Sequence, residues 1–135
     1  MAILIDADVL IDAERGSFDL LAWMNAQPEE DFLLAAITVA ELRHGVERAT
    51  DAHRAARTLF FDRIVSTFET VPYTDATAKI HARIWAELES SGRLIGAHDL
   101  ILAATALEHT GAIATFNTRH FASVPGLTVV LPANE

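Results

Sequence analysis

The stretch Ala2-Ile3-Leu4-Ile5-Asp6 constrains this chain most. Three apolar residues in succession leave a strand with no polar face. Such a strand is covered on both sides, as in the middle of a parallel sheet, whereas an alternating strand turns one face to water. Asp6 falls where the chain leaves the sheet. In open α/β folds that end of the strands is where ligands and chemistry collect. Asp8 follows two residues later, so the question is what an acidic strand end is for.

The remaining segments repeat the theme. Phe32-Leu33-Leu34-Ala35-Ala36 reads as a second buried strand, Ala112-Ile113-Ala114-Thr115 as another, and Leu127-Thr128-Val129-Val130-Leu131 as the last. Thr70-Val71-Pro72-Tyr73 suits an edge, because Pro72 cannot donate to a central ladder. Helices are predicted between the strands. One opens at Val9-Leu10-Ile11, and a short one covers Phe18 to Met24. Thr38-Val39-Ala40-Glu41 has the spacing of a capping box, with Thr38 as N-cap. Residues 52–67 carry Leu59, Phe60, Ile64, Val65 and Phe68 on one stripe, with Phe61 off it. A long helix begins at Thr74 or Asp75 and places Ala76, Ile80, Ile84, Trp85 and Leu88 at helical spacing. The last long helix begins at His98-Asp99 and is closed by Gly111. This alternation predicts an α/β fold: one domain over 1–135, with a central, mainly parallel sheet covered by helices on both faces.

Composition narrows the functions. A chain of 135 residues fits one domain with a sizeable core. It has no cysteine, which excludes disulfides and thiolate metal sites. The N-terminus lacks a basic region ahead of its apolar residues, and no apolar run approaches the ~18 residues of a membrane helix. A cytoplasmic protein is expected. The net charge of -9, with Lys79 as the only lysine, argues against broad electrostatic adhesion to nucleic acid. A nucleic-acid enzyme stays compatible with it, since a metal inverts the charge of an acidic pocket and a few arginines can hold phosphates. A basic protein partner also fits.

Four polar positions occupy comparable places. Asp6 follows the first strand, Glu41 starts the helix after the second, Asp99 starts the helix before the fourth, and Asn117 follows the fourth. Right-handed crossovers bring strand ends and following helix starts to one edge, so Asp6, Glu41 and Asn117 belong together there. Asp99 joins them only if its helix begins at that edge. Clustered carboxylates repel one another, and Mg²⁺ or Mn²⁺, hard ions that take oxygen ligands, is the natural solution. Each residue also has a plainer reading. Asp6 and Asp8 could cap the first helix, Glu41 could complete the Thr38 box, Asp99 could face a helix dipole, and Asn117 could make an Asx-turn. The histidines show no zinc spacing. Arg119 and His120 lie where a substrate phosphate could be met, and a surface turn explains them equally well.

Taken together, the motifs resemble the PIN-domain toxins of the VapC type over essentially the whole chain. They are Ile5-Asp6-Ala7-Asp8-Val9-Leu10-Ile11, Ile37-Thr38-Val39-Ala40-Glu41-Leu42-Arg43-His44-Gly45, Ile95-Gly96-Ala97-His98-Asp99-Leu100-Ile101-Leu102-Ala103-Ala104 and Ala114-Thr115-Phe116-Asn117-Thr118-Arg119-His120-Phe121. Val124-Pro125-Gly126-Leu127 closes the pattern. The resemblance implies a three-layer α/β/α PIN-like domain and a Mg²⁺- or Mn²⁺-dependent endoribonuclease. It also implies a homodimeric toxin, neutralised by a cognate VapB-type antitoxin in a larger complex. It assigns metal binding to Asp6, Glu41 and Asp99, and a fourth catalytic position to Asn117. Asp8, Thr115, Asn117 and Arg119 would support the carboxylates or touch RNA. Many members carry asparagine where this chain has Asp8, and some carry aspartate where it has Asn117.

Two other readings compete. Asp6-Ala7-Asp8-Val9-Leu10 is close to the first motif of haloacid-dehalogenase-like phosphatases, in which two aspartates act as nucleophile and acid. The rest of the chain fits that family poorly. The third reading is a non-catalytic protein whose acidic cluster binds only a partner.

Overall fold

The computed structural model describes residues 2–133. Along the chain the elements are β1 (Ala2–Ile5), α1 (Ala7–Glu14), α2 (Leu20–Asn25), β2 (Asp31–Ala35), α3 (Ala36–Glu47), α4 (Asp51–Thr67), β3 (Glu69–Val71), α5 (Asp75–Ser90), α6 (Ala97–His109), β4 (Ala112–Ala114), α7 (Thr118–Phe121) and β5 (Thr128–Val130). The strands form one sheet in the order β3-β2-β1-β4-β5. Every neighbouring pair is parallel. β1 is therefore the central strand, as its unbroken apolar run requires, and the proline-bearing segment follows the edge strand β3.

Successive side chains of a strand point to opposite faces, and the core divides accordingly. Ile3 and Ile5 join the cluster built with Val9, Leu10, Trp23, Leu42 and Phe61. Leu4 joins the opposite cluster with Ile84, Leu88, Leu100, Ala103 and Phe121. Two helical layers thus enclose the sheet, which is the α/β/α sandwich expected. Leu4, Ile5, Leu34 and Ile113 are fully buried.

Three local expectations need correction. Helix α3 begins at Ala36, directly after β2, with Ala35 at the N-cap. Thr38 lies inside the first turn, so no Thr38–Glu41 capping box forms. β2 runs into the helix without a turn, and the polar Thr-to-Glu spacing sits three residues too far along. On α4 the helix turns Phe61 into the core at 4 % exposure and leaves Leu59 outside at 55 %. Trp85 is likewise 47 % exposed on the outer face of α5. Both cases show a broad apolar stripe in sequence resolving onto a narrower packing face. By contrast, the α5 cap falls on Thr74, which makes a capping box with Thr77.

Thr38 is fully buried and its Oγ1 has no hydrogen-bond partner among the described residues. A buried unsatisfied hydroxyl costs about 1–3 kcal/mol. Thr38→Val should therefore leave the melting temperature unchanged or raise it in thermal unfolding. The loss of about 1 kcal/mol that follows removal of a helix cap would contradict this placement.

Candidate metal centre

The site forms where β1 and β4 end side by side. Asp6 continues the ladder, its N–H donating to the Ala114 carbonyl oxygen at 2.9 Å. Its side chain then caps α1, with Oδ1 accepting from the Ala7 N–H at 2.7 Å. Oδ2 accepts from the hydroxyl of Thr115, the residue after β4, at 2.8 Å. Thr115 is fully buried, and its oxygen accepts in turn from the Asn117 N–H at 3.0 Å. Asp6 is itself only 6 % exposed. It is both a helix cap and a buried carboxylate, so the plain reading and the functional one coexist in one residue.

Asp8 does not cap α1. It lies in the first turn, and its Oδ2 reaches across to accept from the Phe116 N–H at 3.0 Å, with the Thr115 hydroxyl at 3.4 Å. Its Oδ1 is buried without a partner among the described residues. Glu41, freed from any capping role, projects from the second turn of α3. Asp99 lies in the first turn of α6, and its Oδ2 meets His120 Nδ1 at 2.9 Å. Because His120 belongs to α7, which follows β4, this contact settles the orientation left open by sequence: α6 begins at the carboxyl edge of the sheet.

Electrostatics tie the four acids together. Asp6 is pushed up to about 7, first by burial and then by the negative charge of Asp8, with Glu41 adding to it. The bonds from Thr115 and Ala7 oppose that rise. Asp8 is raised by burial, against its bond from Phe116. Glu41 is raised by burial, with neighbouring His98 favouring its charged form and Asp99 and Asp8 opposing it. Three of the groups are therefore penalised for their charge. Among the described residues no three acidic or histidine side chains stand close enough to make a finished ligand cage. The donor chemistry nevertheless fits a hard divalent cation: carboxylate oxygens only, raised by burial and mutual repulsion, and one buried oxygen of Asp8 without a partner.

Asn117 N-caps α7 and is exposed, and its side chain makes no hydrogen bond among the described residues. Arg119 is exposed beside Asp99 and His120. Sequence reasoning did not find the His120–Asp99 contact or the place of His98 near Glu41. No spacing rule connects residues 21 positions apart, and only the adjacency of α6 to α7 creates the pair.

The PIN domain family model matches residues 3–127. The ribonuclease VapC of Rickettsia bellii is 31 % identical, the match covering 96 % of each chain. Among solved structures, FitAcB from Neisseria gonorrhoeae superposes with a TM-score of 0.82 at 30 % identity, covering 98 % of each chain. VapBC-5 of Mycobacterium tuberculosis, a member of the VapBC family of toxin–antitoxin systems, gives a TM-score of 0.75 at 27 % identity, covering 96 % of this chain and 97 % of that one. The chain belongs to the PIN-domain family, in its VapC branch of toxin nucleases. A metal-dependent nuclease class and neutralisation by an antitoxin come with that membership. Among the described residues no helix is long and apolar enough to cross a membrane.

The Asp6 shift has a direction that can be measured. Its folded-state value of about 7 lies above the ordinary 3.8, so the folded protein holds the proton that the unfolded chain has already lost. That contribution to stability is complete below about pH 4 and is lost as pH rises through 7, at up to about 1.4 kcal/mol per pH unit. In chelator-treated protein the melting temperature should fall between pH 5 and 8, and Asp6→Asn should flatten that slope. A parent whose metal-free stability rises over this range would contradict the site.

Proposed function

We propose that this protein is an endoribonuclease toxin that hydrolyses RNA phosphodiester bonds at Asp6, Glu41 and Asp99, with Mg²⁺ or Mn²⁺ as cofactor. Residues 1–135 would act as a single PIN domain. The observation that carries the reading is the set of carboxylates at one sheet edge, delivered by β1, α1, α3 and α6, of which Asp6, Asp8 and Glu41 are raised by burial and by neighbouring negative charge. Asp6, Glu41 and Asp99 would hold a divalent ion, which when bound would supply Lewis acidity to the phosphate and lower the pKa of water.

The chain's own groups do the rest. Ala7 and Thr115 fix both oxygens of Asp6, so its carboxylate enters the site in one orientation. Asp8 locks α1 to the β4–α7 turn and presents its unpartnered oxygen beside the set. His120 steadies Asp99 through Oδ2. Asn117 and Arg119, exposed after β4, would meet the RNA backbone. Water would attack phosphorus in line with the departing ribose oxygen, so that the new P–O bond forms as the P–O(ribose) bond breaks, the ribose oxygen taking a proton and the water losing one. The phosphatase reading loses ground to the PIN family match over residues 3–127.

A cognate antitoxin is the expected inhibitor, and a homodimer within a larger complex the expected assembly. An apolar groove of about 510 Å³ lies away from the carboxylates, lined by Phe18, Leu20, Leu21, Met24, Phe60 and Ile64. Leu21 there is 68 % exposed. Water-exposed apolar surface of this kind is what a protein partner covers. Leu21→Asp should reduce co-purification with the antitoxin while RNA cleavage persists. Retention of full antitoxin affinity would place the partner elsewhere.

The direct assay is Mn²⁺-dependent cleavage of total cellular RNA with the sites mapped. The parent should cut at defined positions. Asp6→Asn, Glu41→Gln and Asp99→Asn should each lower the rate by two orders of magnitude or more, at least about 3 kcal/mol of transition-state stabilisation. Cleavage undiminished in Asp6→Asn, after contaminating nuclease is excluded, would sink the assignment.

A further inference from the structure

The chain is strongly acidic, yet its proposed substrate is a polyanion. The disposition of its cations is therefore informative. Arg43, Arg54, Arg57 and Lys79 each face a carboxylate, Asp62, Asp51, Glu14 and Asp75 respectively. Arg15, Arg48, Arg63, Arg83, Arg93 and Arg119 have no ion pair among the described residues, and of these Arg93 and Arg119 lie near the carboxylates. Both line one trough of about 480 Å³, together with Asp99 and His120. The trough runs between the α5–α6 connection and α7, and the connection also contributes the apolar Leu94 and Ile95 to its lining. Leu94 is 52 % exposed. A second hollow of about 470 Å³ shares Arg119 and His120 and extends to Asn117.

Arg93 is held in position by its backbone. Gly92 takes a positive φ of 70°, which reverses the chain at the end of α5. The Arg93 N–H then donates to the Leu88 carbonyl oxygen at 2.8 Å, closing the helix. In the side chain Nε donates to Ser91 Oγ at 3.2 Å, while the terminal guanidinium nitrogens meet no protein acceptor among the described residues. An anchored arginine with a free fork is suited to phosphate oxygens. A trough lined by both cationic and apolar side chains matches a nucleotide, which is charged on its phosphate and apolar on its base and the sugar face.

We propose that this trough is an RNA subsite beside the cleavage centre. Arg93 and Arg119 hold a phosphodiester neighbouring the scissile one, and Leu94 and Ile95 receive the attached nucleoside. The inference rests on the ribonuclease reading and adds the binding residues to it. His120 joins the two regions, since it lines the trough and contacts Asp99. The arrangement also sets two arginines without a carboxylate partner beside the carboxylates of a chain whose net charge is -9.

The test measures fluorescence anisotropy of a labelled, mixed-sequence single-stranded RNA with the full chain in chelator, over a range of salt. Arg93→Gln/Arg119→Gln should weaken binding roughly tenfold or more and reduce the slope of log affinity against log salt by about 0.7 per arginine removed. The control Arg63→Gln/Arg83→Gln changes net charge equally, outside the trough, and should leave the slope unchanged. Arg93→Lys/Arg119→Lys should recover much of the slope. In Mn²⁺, the trough variant should raise KM more than it lowers kcat. Equal losses in the trough and control variants would overturn the subsite and leave the nuclease assignment standing. Unchanged RNA binding with loss of antitoxin binding would give the trough to the protein partner and overturn it too. A parent that neither binds nor cleaves RNA would remove the ribonuclease reading and the subsite with it.

Discussion

The hydrogen bond from the Thr115 hydroxyl to Asp6 Oδ2 is the contact on which the site depends. It spans 109 residues of sequence and joins the ends of two adjacent parallel strands. Without it, Asp6 would be a buried carboxylate held at one oxygen only, and burial already raises its proton affinity. The same hydroxyl approaches Asp8 and accepts from the Asn117 backbone, so one small side chain organises the whole turn after β4. A low-dielectric setting strengthens such bonds and makes any unpaired polar atom costly. The Asp8 oxygen without a partner is that cost, and it is the kind of local frustration that a bound cation relieves.

The sheet makes this geometry reproducible. β1 is fixed on both sides by β2 and β4 and packed on both faces, so Asp6 is carried by the central strand of the sheet. Glu41 and Asp99 arrive on helices whose first turns sit at the same edge, where the partial positive charge of helix N-termini offsets some carboxylate repulsion. The carboxylates approach but do not close into a cage, which is consistent with ligands that complete their geometry only around an ion and its waters. The cationic trough continues the site on the α6–α7 side and supplies what the acidic set lacks, attraction for a phosphate chain.

Much of the architecture could be read from residues 3–5 and the alternation that follows, because unbroken apolar strands admit few placements. The joint position of Asp6, Glu41 and Asn117 followed from parallel-sheet topology. Asp99 did not, since a helix start says nothing about its direction until the connection to α7 is known. Thr38 and Glu41 misled for a physical reason: capping-box spacing is also the spacing of two residues in a helix already under way, and β2 enters α3 without a turn. Phe61 and Trp85 exchanged expected environments because a stripe of apolar residues marks a sector of a helix, while packing selects only part of it. Arg93 carried no sequence signal. Its role arises from the α5 terminus, where Gly92 turns it toward residues on α6 and α7.

The central claim is that Asp6 is a buried carboxylate whose charge is stabilised by a divalent cation. Calorimetric titration of Mn²⁺ into the metal-free protein at pH 7, in buffers of differing ionisation enthalpy, tests it most directly. With Asp6 pushed up to about 7, binding should be saturable and release roughly half a proton from this group. Asp6→Asn should lose both the tight binding and that proton. Mn²⁺ binding of equal affinity and equal proton release in Asp6→Asn would contradict the account.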